Sequence, residues 1–285
     1  MPLKDSPPRR IEAGLVKSDL AADVHRGDTL DAYRIAVERA IAYMKAHLTD
    51  ALDLDQLAQA AAVSKYHLVR VFGEMTGISP RYFLACLRIQ RAKELLLTSN
   101  PAVTDVCFQV GYTSLASFSS SFHDLVGMTP EAFRALPKKL TVKQFASAVW
   151  GYLASERKIS GVALEGTVEV PSPSRGFIFV GTFTRGVPQG IPFSGTVLVK
   201  PGPFRIERPK LSAFYLMAVL IPFTANLSAM VATLPVGLVA SLRLSNSNNA
   251  QDEKPRLCLR RLRLTDPPIL LALPALPPWR GTFSK

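Results

Sequence analysis

Apolar residues follow two regimes along the chain. Through the first half they recur at intervals of three and four, the spacing that lines up side chains on one face of a helix. Val37, Ala40, Ile41, Met44 and Leu48 make such a stripe, so a first helix is expected over 33–48. Leu57, Ala58, Ala61 and Val63 make a shorter one, opened by Asp53-Leu54-Asp55-Gln56 in the pattern of a capping box. Next, Leu68, Val71, Phe72 and Met75 share a packing side, while Tyr66, Val69, Arg70 and Gly73 share the opposite side. Val106, Cys107 and Val110 then repeat the short stripe, with Gly111 in the turn. Phe118, Phe122 and Leu125 repeat the packing side and leave Ala116, Ser119, Ser120 and His123 outward.

The two longer helices are copies of one another. S-K-Y-H-L-V-R-V-F-G-E-M-T-G-I-S-P at 64–80 aligns with S-L-A-S-F-S-S-S-F-H-D-L-V-G-M-T-P at 114–130, an offset of 50 residues. Ser64 and Ser114 stand at the N-cap, where a hydroxyl accepts an otherwise orphaned helix amide. Gly77 and Gly127 stand where a helix ends in a left-handed residue. A short helix, a tight turn and a second helix with an open N-terminal face describe a helix-turn-helix, whose second helix enters the DNA major groove. A two-fold repeat of this size predicts a bipartite binding module. A plain helical bundle is the alternative.

These residues resemble the DNA-binding domain of the AraC/XylS family of bacterial transcription regulators, over residues 33–134. The resemblance rests on L-A-Q-A-A-A-V-S-K-Y-H-L-V-R-V-F, G-I-S-P-R-Y-F, R-I-Q-R-A-K-E-L-L, V-G-Y-T-S-L-A-S-F-S-S-S-F and G-M-T-P-E-A-F-R, in that order. It implies two recognition helices in successive major grooves, held apart by a helix over 80–97. Eighteen residues at about 1.5 Å each span about 27 Å, a fitting strut for grooves about 34 Å apart. Expected DNA-contacting positions are Ser64, Lys65, Tyr66, Val69, Arg70 and Gly73 on the first helix. On the second they are Ser114, Ala116, Ser119, Ser120 and His123. The sequence departs from the family pattern twice. Ala62 replaces the glycine common in the first turn, and Ser120 replaces the arginine common in the second helix.

After about Gly161 the texture changes. G-T-V-E-V at 166–170, G-F-I-F-V-G-T-F at 176–183, G-T-V-L-V at 195–199, P-F-R-I at 203–206 and F-Y-L-M-A-V-L at 214–220 are short runs between turn signals. Such spacing predicts an antiparallel sandwich or barrel, and the order resembles transthyretin-like and carboxypeptidase-regulatory-like sandwich domains. The expected fold is multidomain α + β: an N-terminal all-α double helix-turn-helix domain, then a mainly-β antiparallel sandwich-like domain. Its parts are a mobile arm (1–32), the DNA-binding domain (33–135), a helical linker (136–165) and a β-rich effector or oligomerisation domain (166–285).

Charge changes this picture little. The net charge of +12 suggests an acidic partner. Yet residues 33–134 hold ten basic against nine acidic residues, whereas 135–285 hold nineteen against seven. The DNA assignment therefore rests on the motif. Residues 211–242 carry no charge, long enough for a membrane span, but Pro222, Asn226, Pro235 and Gly237 cut them to strand length. Cys86, Cys107 and Cys258 are scattered as in a reducing cytosol. The four histidines form no metal-ligand spacing, and neither a phosphate loop nor a nucleophile elbow is present. No catalysis, metal or cofactor is expected.

The resulting expectation is a cytoplasmic bacterial, sequence-specific regulator that binds double-stranded DNA. RNA polymerase is a further partner if it activates, and the C-terminal half is left to a small-molecule effector or a homodimer. A carrier or catalytic sandwich with a borrowed DNA-binding head and a membrane-tethered regulator are the alternatives.

Overall fold

A computed structural model describes residues 15–98, 101–139, 161–171, 175–222, 238–245, 254–270 and 272, with single positions at 147 and 159. Its helices are α1 (Leu15–Ala46), α2 (Leu54–Ala60), α3 (Lys65–Thr76), α4 (Pro80–Thr98), α5 (Val103–Gln109), α6 (Leu115–Val126) and α7 (Pro130–Lys139). The strands are β1 (Ala163–Glu169), β2 (Gly176–Phe183), β3 (Gly195–Leu198), β4 (Gly202–Glu207), β5 (Ala213–Pro222), β6 (Leu238–Ser245) and β7 (Arg256–Cys258).

The arm expected over 1–32 is helical from Leu15 onward. Its prolines, Pro2, Pro7 and Pro8, all precede that point. Extending a helix already nucleated by the packed stripe of Val37, Ala40, Ile41 and Met44 costs little per residue. Most of the linker expected over 136–165 lies outside the described residues.

The strands form two sheets, ordered β4-β1-β7 and β3-β2-β5-β6. All pairings are antiparallel except β1 with β7, which is parallel and departs from the all-antiparallel expectation. A parallel pair needs a long connection, and these strands are separated by most of the sheet region. Leu164, Val168, Phe204 and Ile206 of one sheet pack on Ile178, Val180, Phe214, Leu216 and Ala218 of the other.

The opposite face of the four-stranded sheet is equally apolar, and the helices cover it. Phe177, Phe179 and Phe183 of β2 and Met217, Val219 and Ile221 of β5 belong to one cluster with Phe72, Phe122, Leu125 and Phe133 of the helices. Alternation of period two thus sends even-numbered β2 residues into the sandwich and odd-numbered ones toward the helices. Every residue of β2 is buried. A strand covered on both faces reads as a continuous apolar run, which accounts for the charge-free residues of β5, paired antiparallel with β6. Among the described residues no helix is long and apolar enough to cross a membrane. The architecture has three layers, helices, four-stranded sheet and three-stranded sheet.

Backbone hydrogen bonds and one buried cation join the layers. Gly190 donates its amide to Leu125 O at 2.8 Å and Ala272 to Val126 O at 3.1 Å, occupying carbonyls at the end of α6. Helix ends leave such carbonyls without partners of their own. Lys93 occupies the stripe Cys86, Ile89, Lys93, Leu96 and is 2 % exposed. Its Nζ donates to Leu270 O at 3.1 Å and Ile269 O at 3.4 Å and stands 5.5 Å from the Phe133 ring centre.

Burial pushes the Lys93 amine down to about 7, with Glu94 opposing part of the shift. In an unfolded chain such an amine titrates near 10.4. Between those values the unfolded chain binds the extra proton, so this group makes stability rise with pH across that window; below it both states are charged and the full cost of burying the cation remains. Lys93→Met should therefore gain most over the parent near about pH 6.5, with the gap closing toward about pH 9.5. Urea unfolding of both proteins across this range measures it, and a gap independent of pH would contradict a buried, titrating lysine.

Candidate nucleic-acid interface

Each half of the repeat is built by local chemistry. Asp53 Oδ1 accepts from Gln56 N at 2.8 Å while Gln56 Oε1 accepts from Asp53 N at 2.9 Å, closing the capping box of α2. Ser64 Oγ accepts from His67 N at 3.3 Å and Ser114 Oγ from Ser117 N at 3.4 Å, so both serines cap their helices. Gly77 (φ 76°) and Gly127 (φ 89°) end α3 and α6 in left-handed geometry. Each glycine amide bonds the carbonyl four residues back, at Gly73 and His123.

The repeat changes register at the turns. Helices α3 and α6 are offset by 50 residues, but α2 and α5 are offset by 49, so the second turn is one residue longer. Turn bonds follow the shorter offset: Ala62 N to Gln59 O and Val63 N to Ala58 O match Gly111 N to Phe108 O and Tyr112 N to Cys107 O. Ala62 accordingly occupies the position of Gly111, and both have positive φ, 57° and 83°. A side chain at Gly111 would come within 2.9 Å of the Thr49 backbone, so that turn needs glycine for space as well. Ala62 is exposed and bears only the left-handed strain, about 1–2 kcal/mol.

Helices α3 and α6 flank a cleft of about 900 Å³. Val69 enters it from α3, Ser117 and Ser121 from α6, and Leu84 and Ala85 of α4 line it between them. On α3, Lys65, Tyr66, Val69 and Arg70 are exposed, Tyr66 by 81 %. Gly73 is half-buried, but a Cβ there would meet nothing within 4 Å. On α6, Ala116, Ser120 and His123 are exposed, while Ser114 and Ser119 are half-buried. Of the expected positions, Val69 alone lines this cleft, whose α6 wall is Ser117 and Ser121. Met75, expected to pack, is instead at the margin of exposure.

Arg70 does not stand free. Its Nη1 donates to Glu74 Oε1 at 3.0 Å, and Nη2 donates to the Tyr33 hydroxyl at 3.3 Å and lies 3.4 Å from His67 Nδ1. The hydrogen bond to Tyr33, followed by that to Glu74, raises the arginine above its ordinary value. Lys65 pairs with Asp55 at 3.3 Å.

Two arginines of α4, unassigned by sequence reasoning, also line the cleft. Arg88 donates to Leu48 O at 2.9 Å and Asp50 O at 2.7 Å, so it fixes the α1–α2 connection. Arg81 is exposed and has no ion pair with a described carboxylate. Its place one residue after Pro80, at the start of α4, was the available signal.

The helical segment is similar in sequence to known helix-turn-helix proteins. Residues 57–136 match a family model described as a helix-turn-helix domain. An uncharacterised HTH-type transcriptional regulator, SAR0107 of Staphylococcus aureus (strain MRSA252), is 31 % identical over 102 residues, covering 36 % of this chain and 14 % of the relative. The HTH-type regulator YbfP of Bacillus subtilis (strain 168) is 25 % identical over 135 residues, 47 % of this chain and 44 % of YbfP. The chain thus spans less than half the length of these curated relatives. Among solved structures, the DNA-binding domain of AdpA in complex with a target DNA is 30 % identical, with 35 % of this chain and 89 % of that one covered at a TM-score of 0.34. A regulator with an AraC-type DNA-binding domain from Chromobacterium violaceum is 28 % identical, covering 36 % and 94 % at a TM-score of 0.34.

If α3 meets DNA, the Glu74 carboxylate competes with it for the Arg70 guanidinium. Glu74→Gln removes that competitor and one negative charge from the face. It should tighten binding to a preferred duplex about two- to fivefold at low salt, the range of an exposed pair, as read by fluorescence anisotropy. Unchanged or weakened binding would show that Glu74 does not hold Arg70 back.

Proposed function

We propose that this protein is a bacterial sequence-specific transcription regulator that binds double-stranded DNA through α3 and α6 in successive major grooves. The observation that carries the reading is the pair of serine-capped, glycine-terminated helices opening their N-terminal faces on either side of one cleft. At about 1.5 Å per residue, the 19 residues of α4 suit the distance between such grooves. Ser64 and Ser114 act mainly by fixing where each helix begins. Lys65, Tyr66, Val69, Arg70, Gly73, Ala116, Ser119, Ser120 and His123 form the contact surface, and Arg81 reaches the phosphates between the grooves. The protein works by binding in the cytoplasm and not by catalysis, and RNA polymerase is its second partner where it activates. The sheets serve as an effector-sensing or dimer-forming part.

The two helices are unequal readers. Tyr66, Val69 and Arg70 offer an aromatic, an apolar contact for a thymine methyl and a donor fork for guanine. Ala116, Ser119 and Ser120 offer short groups that discriminate bases poorly, so α6 mainly positions the protein while α3 specifies sequence.

Selection from a random duplex pool should concentrate information in one half-site, with a degenerate one about a helical turn away. Arg70→Ala should cost about 1–3 kcal/mol of specific binding and relax one base pair. Two equally stringent half-sites would refute the asymmetry, and failure to enrich any sequence would refute the function.

A further inference from the structure

A second cleft, of about 330 Å³, opens between the helices and the four-stranded sheet. Its helical wall is the turn Gly77-Ile78-Ser79 with Tyr82, and its sheet-side wall includes Arg185, Tyr215 and Arg243. Among the described residues, two guanidinium groups line it and no acidic side chain does. Neither arginine has an ion pair with a described carboxylate.

The arrangement is set before any ligand arrives. Arg185 lies 4.6 Å from the centre of the Tyr82 ring, and the Tyr82 hydroxyl donates to Gln189 Oε1 at 2.6 Å, which holds the ring in place. Arg243 is the cross-strand partner of Tyr215, so both project from the same face of the β5–β6 ladder. The start of α4 adds to the potential: Ser79 Oγ accepts from Tyr82 N at 3.3 Å, and the 19-residue helix turns its positive end toward the cleft. Both guanidinium groups are exposed at the cleft, where a bound anion can accept their donor forks.

We infer that this cleft binds a small organic dianion, its phosphoryl group or paired carboxylates held between Arg185 and Arg243 and its carbon frame against Tyr82 and Tyr215. The volume lies at the small end of metabolite-binding cavities. The site adjoins Gly77, which ends α3: a Cβ there would stand 3.5 Å from the Tyr215 hydroxyl.

Equilibrium dialysis of the full chain against inorganic phosphate and against succinate, at constant ionic strength with glycerol as a neutral control, tests this. Saturable binding of one dianion per chain is expected. Arg185→Gln and Arg243→Gln should each weaken it about tenfold or more, as loss of a charge-assisted fork requires. Arg205→Gln should leave it unchanged, since Arg205 pairs with Glu165 on the other sheet. Arg70→Ala should also leave it intact, so that failure of the DNA reading and failure of the anion site are separable. No saturable binding of either dianion, or equal binding by the Arg185→Gln/Arg243→Gln double variant, would overturn the inference.

Discussion

Everything in this molecule depends on the four-stranded sheet being buried on both faces. Strands β2 and β5 give one set of side chains to the three-stranded sheet and the alternate set to the helices. Each large apolar side chain so buried contributes about 1.5–3 kcal/mol. Phe177, Phe179, Phe183, Met217, Val219 and Ile221 together make separation of the layers costly. The helices and the four-stranded sheet therefore share one apolar cluster. The end of α6 is held by amides of Gly190 and Ala272, and Lys93 ties α4 to the 269–270 backbone. The sheets pack on the ends and backs of α3 and α6 and leave their N-terminal faces open.

The repeat shows how one local design is adapted twice. Cap, packing phenylalanine, terminal glycine and following proline recur at an offset of 50, while the preceding helices follow 49. The extra residue lies in the second turn, where Gly111 passes against Thr49 with no room for a side chain. The first turn tolerates Ala62 in the same left-handed geometry because the position faces solvent. Divergence is greatest on the outward faces, where Arg70 faces Ser120 across the alignment and Gly73 faces His123. Packing thus constrains the buried positions of the repeat and leaves the exposed ones free to differ.

Most of the helical half could be read from the sequence because its determinants are local. Ser64, Ser114, Gly77 and Gly127 act within one turn of themselves, and the stripes of α1, α3 and α6 follow from helical period. The runs that became β1 to β5 were also visible. Strand β6, with mixed burial, and the three-residue β7 gave too little pattern, and the β1–β7 parallel pairing joins segments far apart in sequence. The shared core was hidden for a related reason: a strand buried twice has no alternation to betray which partner covers each face. Lys93 sat in a legible apolar stripe, but its burial depends on the distant Ile269 and Leu270 carbonyls. Arg70 and Glu74 had helical i,i+4 spacing in plain view, whereas Tyr33, the arginine's other partner, comes from α1.

Native-state hydrogen exchange of the full chain, followed against denaturant, tests the shared core most directly. Amides in β2, β5, α4 and α6 should exchange through one common opening, with the same free energy and the same denaturant dependence. Exchange of the α4 and α6 amides through a separate opening that leaves β2 and β5 protected would contradict it.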